Sequence, residues 1–140
     1  MIPLTICAAI PSKMQMNAPL LIIAIALATT TDDTLSGDWR GDSICVVRNS
    51  ACVDEKSLYH FKKLGQTDRY SLQADKIVNG QPVNMGTVDC VFAPEKQALT
   101  CELQKGVIHL SLNGTRLEGT MNLADGMLWR NISLAKDHAR

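Results

Sequence analysis

A chain of 140 residues has room for one domain and little more. Its 14 basic and 14 acidic side chains cancel, which argues against an electrostatic binder of nucleic acid or of anionic membrane surfaces. The cysteines include no C-x2-C pair, which turns the reading away from zinc and toward disulfides.

At the N-terminus Lys13 precedes the apolar run 18–28. Ala26-Leu27-Ala28 has the small-x-small form of a secretory cleavage site, so residues 1–28 read as a signal peptide and Thr29 as the mature start. The apolar core from Leu20 to Ala28 is shorter than the roughly 20 residues of a membrane span, so no membrane partner is expected once it is cleaved. Loss of Lys13 leaves the mature chain one basic residue short of its acidic count. Export also removes Cys7 and keeps Cys45, Cys52, Cys90 and Cys101. An even set in a periplasmic or secreted chain suggests two disulfides, because that compartment is oxidising. Residues 29–35 are polar and read as a flexible arm, residues 36–136 as the domain, and 137–140 as a tail.

Beyond the arm, short alternating stretches are divided by turn signals, and helical periodicity is almost absent. Eight strands are expected: 38–48, 51–61, 69–78, 84–92, 98–104, 107–113, 115–123 and 127–135. Ile108, Leu110 and Leu112 alternate with His109, Ser111 and Asn113. Asn113-Gly114 then supplies a two-residue turn, which sets Leu112 opposite Thr115, Leu110 opposite Leu117 and Ile108 opposite Gly119. Asp125-Gly126 does the same for the next hairpin, setting Leu123 opposite Leu128, Met121 opposite Arg130, Gly119 opposite Ile132 and Leu117 opposite Leu134. The Asn79-Gly80 turn puts Leu72 against Thr87, which conflicts with an inward Val88-Cys90-Phe92 face. Either the loop is longer, through Pro82, or Gly86 marks a bulge, and the bulge is the favoured reading. About 110 residues of neighbouring hairpins is the expected form of an eight-stranded antiparallel up-and-down β-barrel, with a two-sheet sandwich as the competing all-β arrangement.

The same arithmetic pairs the cysteines. If Cys90 faces Cys101, Phe92 faces Leu99 and the turn falls at Glu95-Lys96. If Cys45 faces Cys52, the turn falls at Arg48-Asn49. Both would staple neighbouring strands, although sequence alone leaves the other two connectivities open.

No catalytic equipment is visible. Ser43 and Ser57 lack a G-x-S-x-G context, and no P-loop, dinucleotide fingerprint or H-E-x-x-H occurs. His60 and His109 fall on the face opposite the apolar set and read as surface residues. Asp38, Asp42, Asp54 and Glu55 read as solvated charge near the first hairpin, since no calcium loop pattern surrounds them. The expectation is a protein that is not an enzyme, with no cofactor and no metal.

Gly37-x-Trp39 on the first strand resembles the signature of the calycin superfamily, which includes lipocalins, fatty-acid-binding proteins and avidins. In that family the tryptophan closes one end of the barrel and packs on a basic residue of the last strand. The resemblance implies that Trp39 and Arg130 form such an end-plug, since Arg130 shares its parity with Leu128, Ile132 and Leu134, and an inward guanidinium needs a partner or a ring face. It also implies a small, largely apolar ligand bound by a monomer. Tyr59, Phe61, Tyr70, Met85, Phe92 and Met121 are the candidate contacts. A second resemblance, carried by Gly37-x-Trp39 and the Cys45/Cys52 pair, is to periplasmic inhibitors of bacterial metalloproteases. These are also small exported barrels, and they insert an N-terminal arm into the protease. That resemblance implies a protein partner and gives the arm a role.

Overall fold

The computed structural model describes residues 22–26 and 33–138, in two units that divide after Thr31. Of the expected signal peptide only residues 22–26 are described. They form neither helix nor strand, and Ile22, Ile23 and Ile25 are exposed. Cleavage after Ala28 lies outside the described residues.

The second unit consists of eight strands: β1 (Gly37–Cys45), β2 (Glu55–Lys63), β3 (Arg69–Val78), β4 (Gln81–Ala93), β5 (Ala98–Leu103), β6 (Gly106–Asn113), β7 (Arg116–Leu123) and β8 (Leu128–Lys136). Each pairs antiparallel with the next, and β1 pairs with β8, so the sheet closes into a barrel. Closure removes both sheet edges and excludes the sandwich. The architecture is compatible with the calycin resemblance. Alternation drives it: on β6, Ile108, Leu110 and Leu112 are buried while His109 and Ser111 are exposed.

Of four hairpins, two keep the expected registers, one shifts throughout and one departs only beside its turn. Cys90 faces Cys101 and Phe92 faces Leu99, as the cysteine arithmetic requires. The expected bulge lies at Gly86, where Ala74 faces Gly86, Asp75 faces Asn84 and Met85 is the extra residue. The β6–β7 register differs from expectation by two residues: Leu112 faces Leu117, Leu110 faces Gly119 and Ile108 faces Met121. Gly114 (φ 59°) takes the left-handed position at the turn, and Asn113 does not. Gly114-Thr115 can make a two-residue turn as Asn113-Gly114 can, and a shift of two preserves the inward face, so parity cannot choose between them. On β7–β8 Met121 faces Arg130, Gly119 faces Ile132 and Leu117 faces Leu134 as expected, but Asn122 rather than Leu123 faces Leu128, leaving Trp129 as an extra residue.

The first hairpin is looser than its sequence suggests. β1 stops at Cys45, β2 starts at Glu55, and residues 46–54 form a loop whose base is fastened by the Cys45–Cys52 disulfide. Asp54 accepts a hydrogen bond from the Cys45 amide at 2.8 Å, which satisfies a donor left over where the strand ends. The second disulfide, Cys90–Cys101, bridges β4 and β5 inside the wall. Two intramolecular disulfides fit an oxidising environment.

The interior is filled most densely at one end. Leu35, Trp39, Phe61, Tyr70, Leu99, Leu110, Leu112, Leu117 and Leu134 are buried there, in a cluster that continues through Leu72, Tyr59 and Ile108 toward the other end. Leu35 belongs to the segment read as a flexible arm, and the structure corrects that reading for residues 33–35. Leu35 is 1% exposed, and its carbonyl accepts the Trp39 indole N–H at 2.8 Å. Asp33 accepts a hydrogen bond from the Tyr70 hydroxyl at 2.8 Å. An apolar side chain and a satisfied carboxylate hold this piece against the barrel. Residues 29–32 lie outside the described residues.

Candidate functional site

The opposite end of the barrel is open. A cavity of about 330 Å³ enters there. Its wall is built from inward positions of β3 to β7: Leu72, Ala74, Val88, Leu103, Ile108 and Met121, with Met85 and Gly86 of the bulge at the rim. The bulge is what brings Met85 to the mouth, because the extra residue breaks the strict alternation of β4. Trp129, the extra residue of β8, also lines the entrance.

One side of the cavity is polar. Ser43, Glu55, Tyr59 and Arg130 line it. Arg130 Nη1 donates to the Val53 carbonyl at 2.9 Å and, at longer range, to the Ser43 carbonyl and hydroxyl. Its Nη2 donates to Glu55 Oε1 at 3.3 Å. The two charged side chains are mostly enclosed, at 12% and 19% exposure, so each offsets a desolvation cost that the other would otherwise leave uncompensated. Tyr59 is 4% exposed. Burial, reinforced by the negative charge of Glu55 and only partly opposed by Arg130, pushes its phenol up to about 12. Tyr59 is therefore a neutral hydroxyl across the physiological range.

Arg130 does not stack on Trp39. The β1–β8 register sets Arg130 opposite Cys45 and Trp39 opposite Lys136, at opposite ends of both strands. Lys136 Nζ lies 4.9 Å from the centre of the indole ring and donates to the carbonyls of Thr34 and Ser36. Burial lowers the Lys136 pKa, against the pull of Asp33 and Asp38. The inward parity expected for Arg130 is present, but Glu55 and backbone carbonyls compensate its charge. The basic residue of the last strand that meets the tryptophan is Lys136.

The six candidate contacts divide between the two ends. Tyr59, Met85 and Met121 line the cavity. Phe61, Tyr70 and Phe92 sit at the closed end, where Tyr70 and Phe92 meet edge to face with ring centres 6.2 Å apart. Sequence reasoning missed Ser43, Glu55 and Trp129. The signal for the first two was present: alternation from Trp39 turns Ser43 inward, and alternation from Tyr59 turns Glu55 inward. Trp129 had no such signal, because it enters through an irregularity in pairing.

A second cluster lies on the outer wall. His60, expected on the surface, is held between Asp38 Oδ1 (2.6 Å from Nδ1) and Asp75 Oδ2 (2.9 Å from Nε2). Gln73 donates to Asp75 as well. Burial disfavours the imidazolium, but the hydrogen bonds and charges of Asp38 and Asp75 outweigh it and raise the His60 pKa above the usual imidazole value. Among the described residues no group of three or more His, Cys, Asp or Glu side chains is arranged to hold a metal ion.

No protein-family model and no curated protein matches the chain. Architecture alone therefore sets its class, an all-β, closed, eight-stranded antiparallel barrel with two disulfides.

Proposed function

We propose that the protein is a monomeric, calycin-like binding barrel without catalytic activity, exported to the periplasm or secreted, that carries a small, largely apolar ligand. The cavity of about 330 Å³ supports this reading. Its wall is mainly aliphatic with a few convergent polar groups, the usual composition of a small-molecule site, and its size falls within the range of roughly 300 to 1,000 Å³ that such sites occupy. The alternative, inhibition of an envelope protease by the N-terminal arm, has less support because Asp33 and Leu35 are engaged at the closed end.

The test is to fill the cavity. Ala74 faces inward between Tyr59 and Gly86, so Ala74→Trp places an indole where the ligand would lie. With N-phenyl-1-naphthylamine as a fluorescent apolar probe, the wild type should bind and Ala74→Trp should lose at least about tenfold in affinity, a loss of about 1.4 kcal/mol. A folded Ala74→Trp protein that binds the probe as the wild type does would remove the carrier reading.

A further inference from the structure

The polar side of the cavity contains opposed charges that already satisfy one another, beside hydrogen-bonding capacity that the protein leaves unused. Arg130 spends Nη1 on Val53 and Ser43 and one Nη2 hydrogen on Glu55. Glu55 accepts that bond through Oε1. A carboxylate has about four acceptor positions, and among the described residues no side chain or backbone group donates to Oε2. The Tyr59 hydroxyl lines the same cavity and likewise meets no hydrogen-bonding group among the described residues, although the side chain is 4% exposed. It lies near enough to Glu55 and Arg130 to feel both charges.

These groups set what a ligand's polar end can be. An anionic carboxylate would face the Glu55 carboxyl group, which already takes up a guanidinium hydrogen of Arg130. An ammonium would face Arg130. A neutral hydroxyl meets neither objection: its O–H donates to Glu55 Oε2 and its oxygen accepts from Tyr59. The remaining wall, from Leu72 to Met121, accepts a hydrocarbon body. Building on the carrier reading, we propose that the ligand is a neutral amphiphile with a hydroxyl head, seated against Glu55 and Tyr59 with its hydrocarbon along the β3–β7 wall.

Three probes that share one chain and differ in head group test this: 1-decanol, decanoate and decylammonium. Each displaces N-phenyl-1-naphthylamine from the wild-type protein at pH 7. Decanol should bind best, with decanoate weaker by about tenfold or more, because like charges opposed in an interface are strongly disfavoured. Tyr59→Phe should weaken decanol by about three- to tenfold, the range of one hydrogen bond, with each displacement referred to that variant's own affinity for the naphthylamine. Glu55→Gln leaves Arg130 without its counter-charge and should invert the order, so that decanoate overtakes decanol. That inversion is not expected of a residue that only supports the fold. Thermal melting of both variants confirms that they are folded, and the wild-type comparison needs no variant. Decanoate or decylammonium binding the wild type as well as decanol does would overturn the head-group assignment and leave the carrier reading standing. Failure of all three while the naphthylamine binds would have the same effect. Failure of the naphthylamine itself to bind would remove the carrier reading with it.

Discussion

At the residue scale, Trp39 and His60 show the two sides of the barrel wall. Trp39 is fully buried, and its one polar atom is satisfied by Leu35. Truncation would open a void that the rigid wall cannot close. We expect Trp39→Ala to cost about 3 to 5 kcal/mol, the usual range for a buried aromatic, measured by urea unfolding. A cost below about 1 kcal/mol would mean that the indole does not hold this end together. His60 makes stability depend on pH. Its folded pKa lies above the unfolded value of 6.5, so its contribution is complete below that value and fades as pH rises through the folded one. The melting temperature should therefore decline across this window, and His60→Asn should flatten that part of the profile. Asp33 acts in the opposite sense. Burial disfavours its carboxylate, but hydrogen bonds from Ser36 and Tyr70 and the charge of Lys63 prevail and lower its pKa. Its contribution is present above its unfolded value of 3.8 and disappears as pH falls through the lowered folded one.

At the element scale, legibility followed locality. Alternation over a single strand gives its inward face, and a short loop fixes its hairpin within a choice or two, so the strands could be read from the sequence, while the Gly86 bulge and the two disulfide pairings were among the few arrangements it allowed. The β6–β7 register could not, because two adjacent turns preserve the same inward face. Packing decides it: with Leu110 opposite Gly119 the strands approach so closely that a Cβ on Gly119 would lie 1.8 Å from the His109 carbonyl oxygen. Gly41 stands in the same relation to Ser133 on β8, at 1.9 Å. Gly119→Ala and Gly41→Ala therefore each force backbone apart, and each should cost more than about 2 kcal/mol, whereas Gly65→Ala meets no neighbouring atom and is penalised only by its positive φ of 64°. Denaturant midpoints of the three variants give the comparison. The disulfides close short loops, with separations of 7 and 11 residues. By the chain-entropy relation each contributes about 2.5 to 3 kcal/mol, so replacing either pair by alanine should lower unfolding free energy by up to that amount.

At the scale of the whole molecule, closure was the least legible feature. The offset between β1 and β8 accumulates every hairpin register and bulge in between, so one slip of two residues moves the last strand along the first. Trp39 is therefore matched with Lys136 while Arg130 lies at the far mouth with Glu55. The resulting division of labour is clear in physical terms. Aromatic and leucine side chains fill the end that holds residues 33–35, and smaller or flexible ones such as Ala74, Val88 and Met121 leave room at the other. Composition gave no hint of this polarity, because it counts apolar residues without saying which end of the barrel they fill.

The seam between the outermost strands has a practical consequence. β1 begins and β8 finishes side by side, with the Asp137 amide bonded to the Asp38 carbonyl at 2.7 Å, both on the side away from the entrance. A short peptide bridging them, with a new cut at the Gly80 turn, would give a circular permutant with every strand neighbour unchanged. A tether fixed to either original end of the barrel would leave the doorway facing outward, so the domain could be immobilised on a sensor surface without obstructing whatever enters it.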